Sequence, residues 1–100
     1  MMNKERHYSE VKTVEQTGIL FDDGSQILFQ DCARMYDSDT CVAVRDVTAA
    51  PPYFEFRTPE QPVRIIFDRS GVFAADKNRK DFHSLQFAIL KAGFKTFDLS

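Results

Sequence analysis

Apolar and polar positions alternate in short runs along most of the chain, and the spacing widens to that of a helix only near the end. Gly18-Ile19-Leu20-Phe21 and Gln26-Ile27-Leu28-Phe29 flank Asp22-Asp23-Gly24-Ser25. An Asp-Gly pair between two β-prone runs is a strong short-range hairpin signal. Val11 to Glu15 reads as a short leading strand, and Gln30 to Tyr36 as a bent continuation of the second hairpin strand. Asp37-Ser38-Asp39 has turn chemistry, because these side chains bond nearby backbone. Cys41 to Val47 then reads as a strand, ended by Ala49-Ala50-Pro51-Pro52, since proline supplies no ladder donor.

Tyr53 to Arg57 alternates cleanly, with Phe54 and Phe56 on one face and Tyr53, Glu55 and Arg57 on the other. After a loop at Thr58 to Pro62, Val63, Ile65 and Phe67 form an inward set, while Arg64, Ile66 and Asp68 face away. Asp68-Arg69-Ser70-Gly71 turns the chain towards a short strand at Val72-Phe73-Ala74. The last element is a helix capped by Asn78 or Asp81, with Phe82, Leu85, Ile89 and Ala92 at helical spacing and Phe87 and Leu90 widening the stripe. Gly93 fits the left-handed position past its end, with Phe94 folding back onto Ile89. Phe97 and Leu99 are expected to tuck against the sheet. The sum is an α+β fold: a curled, mostly antiparallel sheet of about six or seven short strands with one C-terminal amphipathic helix packed on it.

At 100 residues the chain reads as a single globular domain over 1–100, with the polar residues 1–9 as a mobile tail. Its 43% hydrophobic and 28% charged residues do not suit a disordered chain. There is no apolar run approaching 18 residues, so no membrane-spanning helix and no membrane partner is expected. The polar start lacks the apolar stretch of a secretory signal. Two cysteines, Cys32 and Cys41, read as reduced, buried thiols, which fits a cytoplasmic protein.

Candidate chemistry is sparse. Cys32, Cys41, His7 and His83 show no metal-ligand spacing, Asp37-x-Asp39 lacks the rest of a calcium loop, and the glycines make no phosphate loop. No catalytic residue, metal or cofactor is expected, and the reading leans away from an enzyme. Charge is the one uneven feature: residues 10–61 hold ten acidic and four basic side chains, whereas residues 62–95 hold seven basic and three acidic. Arg64, Arg69, Lys77, Arg79 and Lys80 are the candidate binding residues on that basis, the last three grouped at the helix start. Tyr53 and Arg57 join them because the Tyr53 strand is aromatic on both faces, as suits a partner or self-association surface. The expected function is a non-catalytic protein-interaction or regulatory module. The alternatives are a weak nucleic-acid-binding accessory protein, disfavoured by a net charge of −2, and a ligand pocket or enzyme between sheet and helix.

Overall fold

The structure, a computed structural model, describes residues 4–68 and 76–99. The hairpin forms where the Asp-Gly pair places it, between β3 (Gly18–Phe21) and β4 (Gln26–Leu28). Phe21 donates its N–H to the Ser25 carbonyl (2.9 Å) and Gly24 donates to the Phe21 carbonyl (3.0 Å), with Gly24 at φ 88°, a conformation that costs glycine little. β2 (Val11–Glu15) pairs on the other side of β3, completing a three-stranded antiparallel sheet.

The second sheet has five strands in the order β1-β7-β6-β5-β8. They are β1 (Lys4–His7), β5 (Cys41–Asp46), β6 (Tyr53–Phe56), β7 (Val63–Ile66) and β8 (Lys95–Asp98). Its middle pairs are antiparallel; its two edges, β1 on β7 and β8 on β5, are parallel. The fold is thus α+β and mostly antiparallel, as the pattern implies, but the described residues hold eight strands shared between two open sheets.

Several local expectations change. Residues 4–9 are not a tail: β1 is a paired strand, and a short 3-10 turn (Tyr8–Glu10) follows, where His7 donates its N–H to the Glu10 carboxylate at 2.8 Å. Gln30 to Tyr36 does not prolong the hairpin strand; Gln30 to Met35 belong to a helix, α1 (Phe29–Met35), that turns Phe29, Cys32 and Ala33 into the core, and Tyr36 follows its last turn. No side chain caps the start of α1, and Asp37, at φ 53°, takes the place a glycine usually holds after its end. Asp37 donates to Arg34 O (3.0 Å) and Ser38 to Ala33 O (2.9 Å), which closes the helix. Phe97 and Leu99 do not tuck in; Phe97 belongs to an added edge strand, and the two side chains are 60% and 58% exposed. The expected strand at Val72 to Ala74, and the turn from Arg69 to Gly71 before it, lie outside the described residues.

The C-terminal helix, α2 (Asp76–Lys91), presses Phe82, Leu85 and Ile89 onto the inner face of the larger sheet. The Phe82 ring lies 4.3 Å from that of Phe54 and 5.3 Å from that of Phe67. Phe87 and Leu90 do not widen this stripe. With 3.6 residues per turn, Phe87 falls opposite the buried line and Leu90 on its flank, and they are 67% and 53% exposed. The helix ends as its sequence implies: Gly93, at φ 94°, donates to Leu90 O (3.0 Å), and Phe94 donates to Ile89 O (3.1 Å).

Asn78 is not a cap. It lies inside α2, 1% exposed, where its Oδ1 accepts from the Asp68 N–H (2.9 Å) and its Nδ2 donates to the Asp68 carbonyl (3.2 Å). The side-chain amide thus takes the place of a strand partner just beyond β7.

Ile19, Phe21 and Ile27 of the small sheet complete the core against Phe54, Phe56, Ile65 and Phe67. A register shift between Cys41 and Ala43, where β5 meets β8, lets the adjacent Val42 and Ala43 both enter that core. Arg6, only 7% exposed, ties the two sheets together. Its Nε is 3.1 Å from Glu10 Oε1, its Nη2 is 3.0 Å from Asp23 Oδ2, and its Nη1 donates to Ser25 Oγ at 3.1 Å. The guanidinium also lies 4.2 Å over the Phe21 ring.

Two outcomes follow from these bonds. Asn78→Ala removes both bonds to the Asp68 backbone, and the denaturant midpoint should fall by the equivalent of about 2 kcal/mol; an unchanged midpoint would mean that the two bonds add no net stability. The Ser25 hydroxyl, then the Ser25 N–H, and further down Arg6, hold the Asp23 carboxyl down to about 2. A carboxyl lowered in the folded state adds stability that is complete above its ordinary value near 4 and is lost as pH falls towards 2. Denaturant melts across that window should therefore show a steeper loss for the native chain than for Asp23→Asn.

Candidate functional site

Strand alternation and register place a row of side chains across the outer face of the five-stranded sheet, away from α2. Phe97, Val44, Glu55, Arg64 and Glu5 follow one another from β8 to β1. In the neighbouring row Asp46, Tyr53, Ile66 and His7 are paired. Arg64 Nε donates to Glu55 Oε1 at 2.8 Å, and its guanidinium lies 4.2 Å over the Tyr53 ring. The hydrogen bond to the Glu55 carboxylate raises the Arg64 pKa further above its ordinary value, so the guanidinium stays charged.

A second stack continues the arrangement. The Arg57 guanidinium lies 4.8 Å over the Tyr36 ring, and the Tyr36 hydroxyl donates to the Glu55 carbonyl at 2.8 Å. Burial, with the Glu55 charge second, pushes the Tyr36 phenol well above its usual range, so the hydroxyl stays a donor. Tyr36 comes from the end of α1, which brings it within reach of β6. Arg57, Tyr36, Glu55, Arg64 and Tyr53 are thus linked in one chain of contacts, with Arg57 at its exposed end.

Of the residues singled out in the sequence, this surface unites Tyr53, Arg57 and Arg64. Lys77, Arg79 and Lys80 are exposed on the first turns of α2, on the opposite side of the sheet, and so do not join Arg64 in one patch. Arg69 lies outside the described residues. Ile66 does face away from Ile65, but at 4% exposure it offers no apolar surface. Glu55 and Tyr36 are the members the sequence left unmarked. Glu55 alternates onto the face of Tyr53, whereas nothing local to Tyr36 signals its approach to a strand 19 residues later.

The thiols are poor nucleophiles. Cys32 and Cys41 are buried and unbridged, and burial pushes the Cys32 thiol up to about 12 and raises that of Cys41. Among the described residues no group of three or more His, Cys, Asp and Glu side chains is placed to hold a metal ion. No helix among them is long and apolar enough to cross a membrane. A cleft of about 340 Å³ opens beside the β3–β4 hairpin and the 58–61 loop, with Lys4, Arg6, Asp31 and Glu60 among its lining. The bonds of Arg6 to Glu10, Asp23 and Ser25 leave its charge already answered there.

No protein-family model, curated protein or solved structure matches the chain. The site therefore rests on its own geometry. With both thiols buried and protonated, a disulfide-exchange reagent should label neither cysteine in the native protein and both after unfolding; rapid native labelling of Cys41 would overturn this.

Proposed function

We propose that the chain is a non-catalytic protein-interaction module, acting in the cytoplasm, that docks a partner protein on the outer face of its larger sheet. The observation that carries this reading is the pair of arginine–tyrosine stacks on the face of the sheet away from α2. Arginine and tyrosine are among the side chains that dominate binding energy at interfaces. Here Glu55 and the rings already fix the guanidiniums, so less rotamer freedom is lost on docking. Arg57, exposed at the end of the row, is the group placed to meet a carboxylate of the partner. Two unbridged cysteines support a reducing compartment.

Nucleic acid is the weaker reading. The chain carries a net charge of −2, Arg64 is paired with Glu55, and Glu5 and Asp46 share the face, which leaves little attraction for phosphate. The tyrosine rings on which a base would stack are themselves faced by guanidiniums.

The test is affinity capture with the native chain, Arg57→Glu, and the double variant Lys77→Glu/Lys80→Glu, followed by titration of the captured partner. Arg57→Glu should weaken binding by about 30-fold, the scale of an interface hot spot, and the double variant should bind as the native chain does. The reverse pattern would move the docking surface to the start of α2. Binding to single-stranded oligonucleotides at low salt that weakens steeply as salt rises would replace the proposal with the nucleic-acid reading.

A further inference from the structure

Four strands lie at sheet edges among the described residues, and three of them carry devices that discourage pairing. Every side chain of β1 is ionisable, β2 is broken by a register shift between Val11 and Thr13, and β4 is three residues long. β8 differs. The register shift in its pairing lies in β5 and not in β8 itself, it has no proline, and its outward Phe97 is 60% exposed, with Leu99 just beyond it at 58%.

The backbone of β8 has a defined polarity. Lys95 donates to Thr40 O (3.0 Å) and Leu99 donates to Arg45 O (2.8 Å), so residues 95, 97 and 99 turn their peptide groups towards β5. Alternation then turns the N–H and carbonyl of both Thr96 and Asp98 to the open edge. We propose that this edge is a homodimer interface, where β8 pairs antiparallel with β8 of a second copy about a two-fold axis at Phe97. This inference goes beyond the outer-face reading and does not depend on it.

The register follows from the strand itself. A two-fold axis perpendicular to the sheet keeps outward residues opposite outward residues. Centred on Phe97, the ladder sets Thr96 opposite Asp98 of the second copy and Asp98 opposite its Thr96, the two pairs whose peptide groups face the edge. These pairs supply four hydrogen bonds, and Phe97 meets its own copy in a close, non-hydrogen-bonded pair. Lys95 lies along the second Leu99, where its stem covers apolar surface. Centring on Asp98 would oppose two carboxylates. Centring on Thr96 would oppose Asp98 to Phe94, whose N–H is already committed to Ile89 O at 3.1 Å. The register at Phe97 alone among these three uses both outward peptides and avoids a like-charge contact.

α2 adds to the same edge. Gln86 Oε1 accepts from Thr96 Oγ1 at 2.7 Å, so Gln86 lies above β8, and Leu90 follows it one turn later at 53% exposure. Phe97, Leu99 and Leu90 together expose on the order of 300 Å² of side chain per copy, which with the strand backbone suits a reversible rather than an obligate dimer.

Analytical ultracentrifugation over a concentration series, with circular dichroism as the check on folding, tests the pairing. The native chain should shift with concentration from 11.5 kDa to twice that mass. Phe97→Glu and Phe97→Lys should each remain at the single-chain mass, because like charges meet at the axis, and should recover the doubled mass when mixed. Phe97→Cys, oxidised under native conditions, should form a covalent dimer, since the two positions are within disulfide reach and Cys32 and Cys41 are buried. A native chain that stays at single mass together with an unlinked Phe97→Cys overturns the proposal. So does a native dimer that both charged variants leave intact. Arg57→Glu should leave the mass behaviour unchanged, so that failure of the outer-face reading and failure of this one are told apart.

Discussion

The contact between Phe82 and Phe54, at 4.3 Å between ring centroids, fixes how everything else is arranged. It seats α2 over the middle of a five-stranded sheet. A helix about 10 Å across covers about two strands at their spacing of about 4.8 Å, so one helix leaves much of the inner face bare. The three-stranded sheet and α1 cover the remainder, contributing Ile19, Phe21, Ile27 and Phe29 to the same core. Arg6 then holds the small sheet in place from β1, through bonds to Asp23 and Ser25 at its turn. With one side occupied in this way, the opposite side carries the half-buried Tyr53, Glu55 and Arg64.

Elements whose signals are local were legible in the sequence. The β3–β4 hairpin depends on its Asp-Gly turn, and the end of α2 depends on Gly93 and Phe94, all within a few residues of one another. α1 was not legible, because β-prone Ile27 and Leu28 lead into it, no side chain caps it, and an aspartate ends it. β1 was hidden for another reason: its four polar residues become a strand only by pairing with β7. Phe87 and Leu90 were assigned to the core because composition favours burial, yet their angular position around the helix decides otherwise.

The candidate surface was half legible. Alternation put Tyr53, Glu55 and Arg57 on one face, and the register across the 57–62 loop brings Arg64 to Glu55. Arg64 and the lysines of α2 looked like one basic group because they are close in sequence. The sheet stands between them, with Arg64 on its outer face and α2 on its inner one. Tyr36 was out of reach of any such argument, since its place under Arg57 depends on where α1 ends.

Both edges of the larger sheet are parallel, and this has a consequence for the order in which the molecule assembles. Lys4 pairs with Val63, so β1 is synthesised about sixty residues before the strand it needs. The hairpin can form while β1 is still waiting. A waiting strand is a hazard when it is apolar, since it can recruit a neighbouring nascent chain. Lys4, Glu5, Arg6 and His7 remove that hazard: the segment is well hydrated alone and becomes ordered when Val63, Arg64, Ile65 and Ile66 arrive to receive it. The charges that conceal β1 in the sequence thus let an early strand wait safely for a late partner.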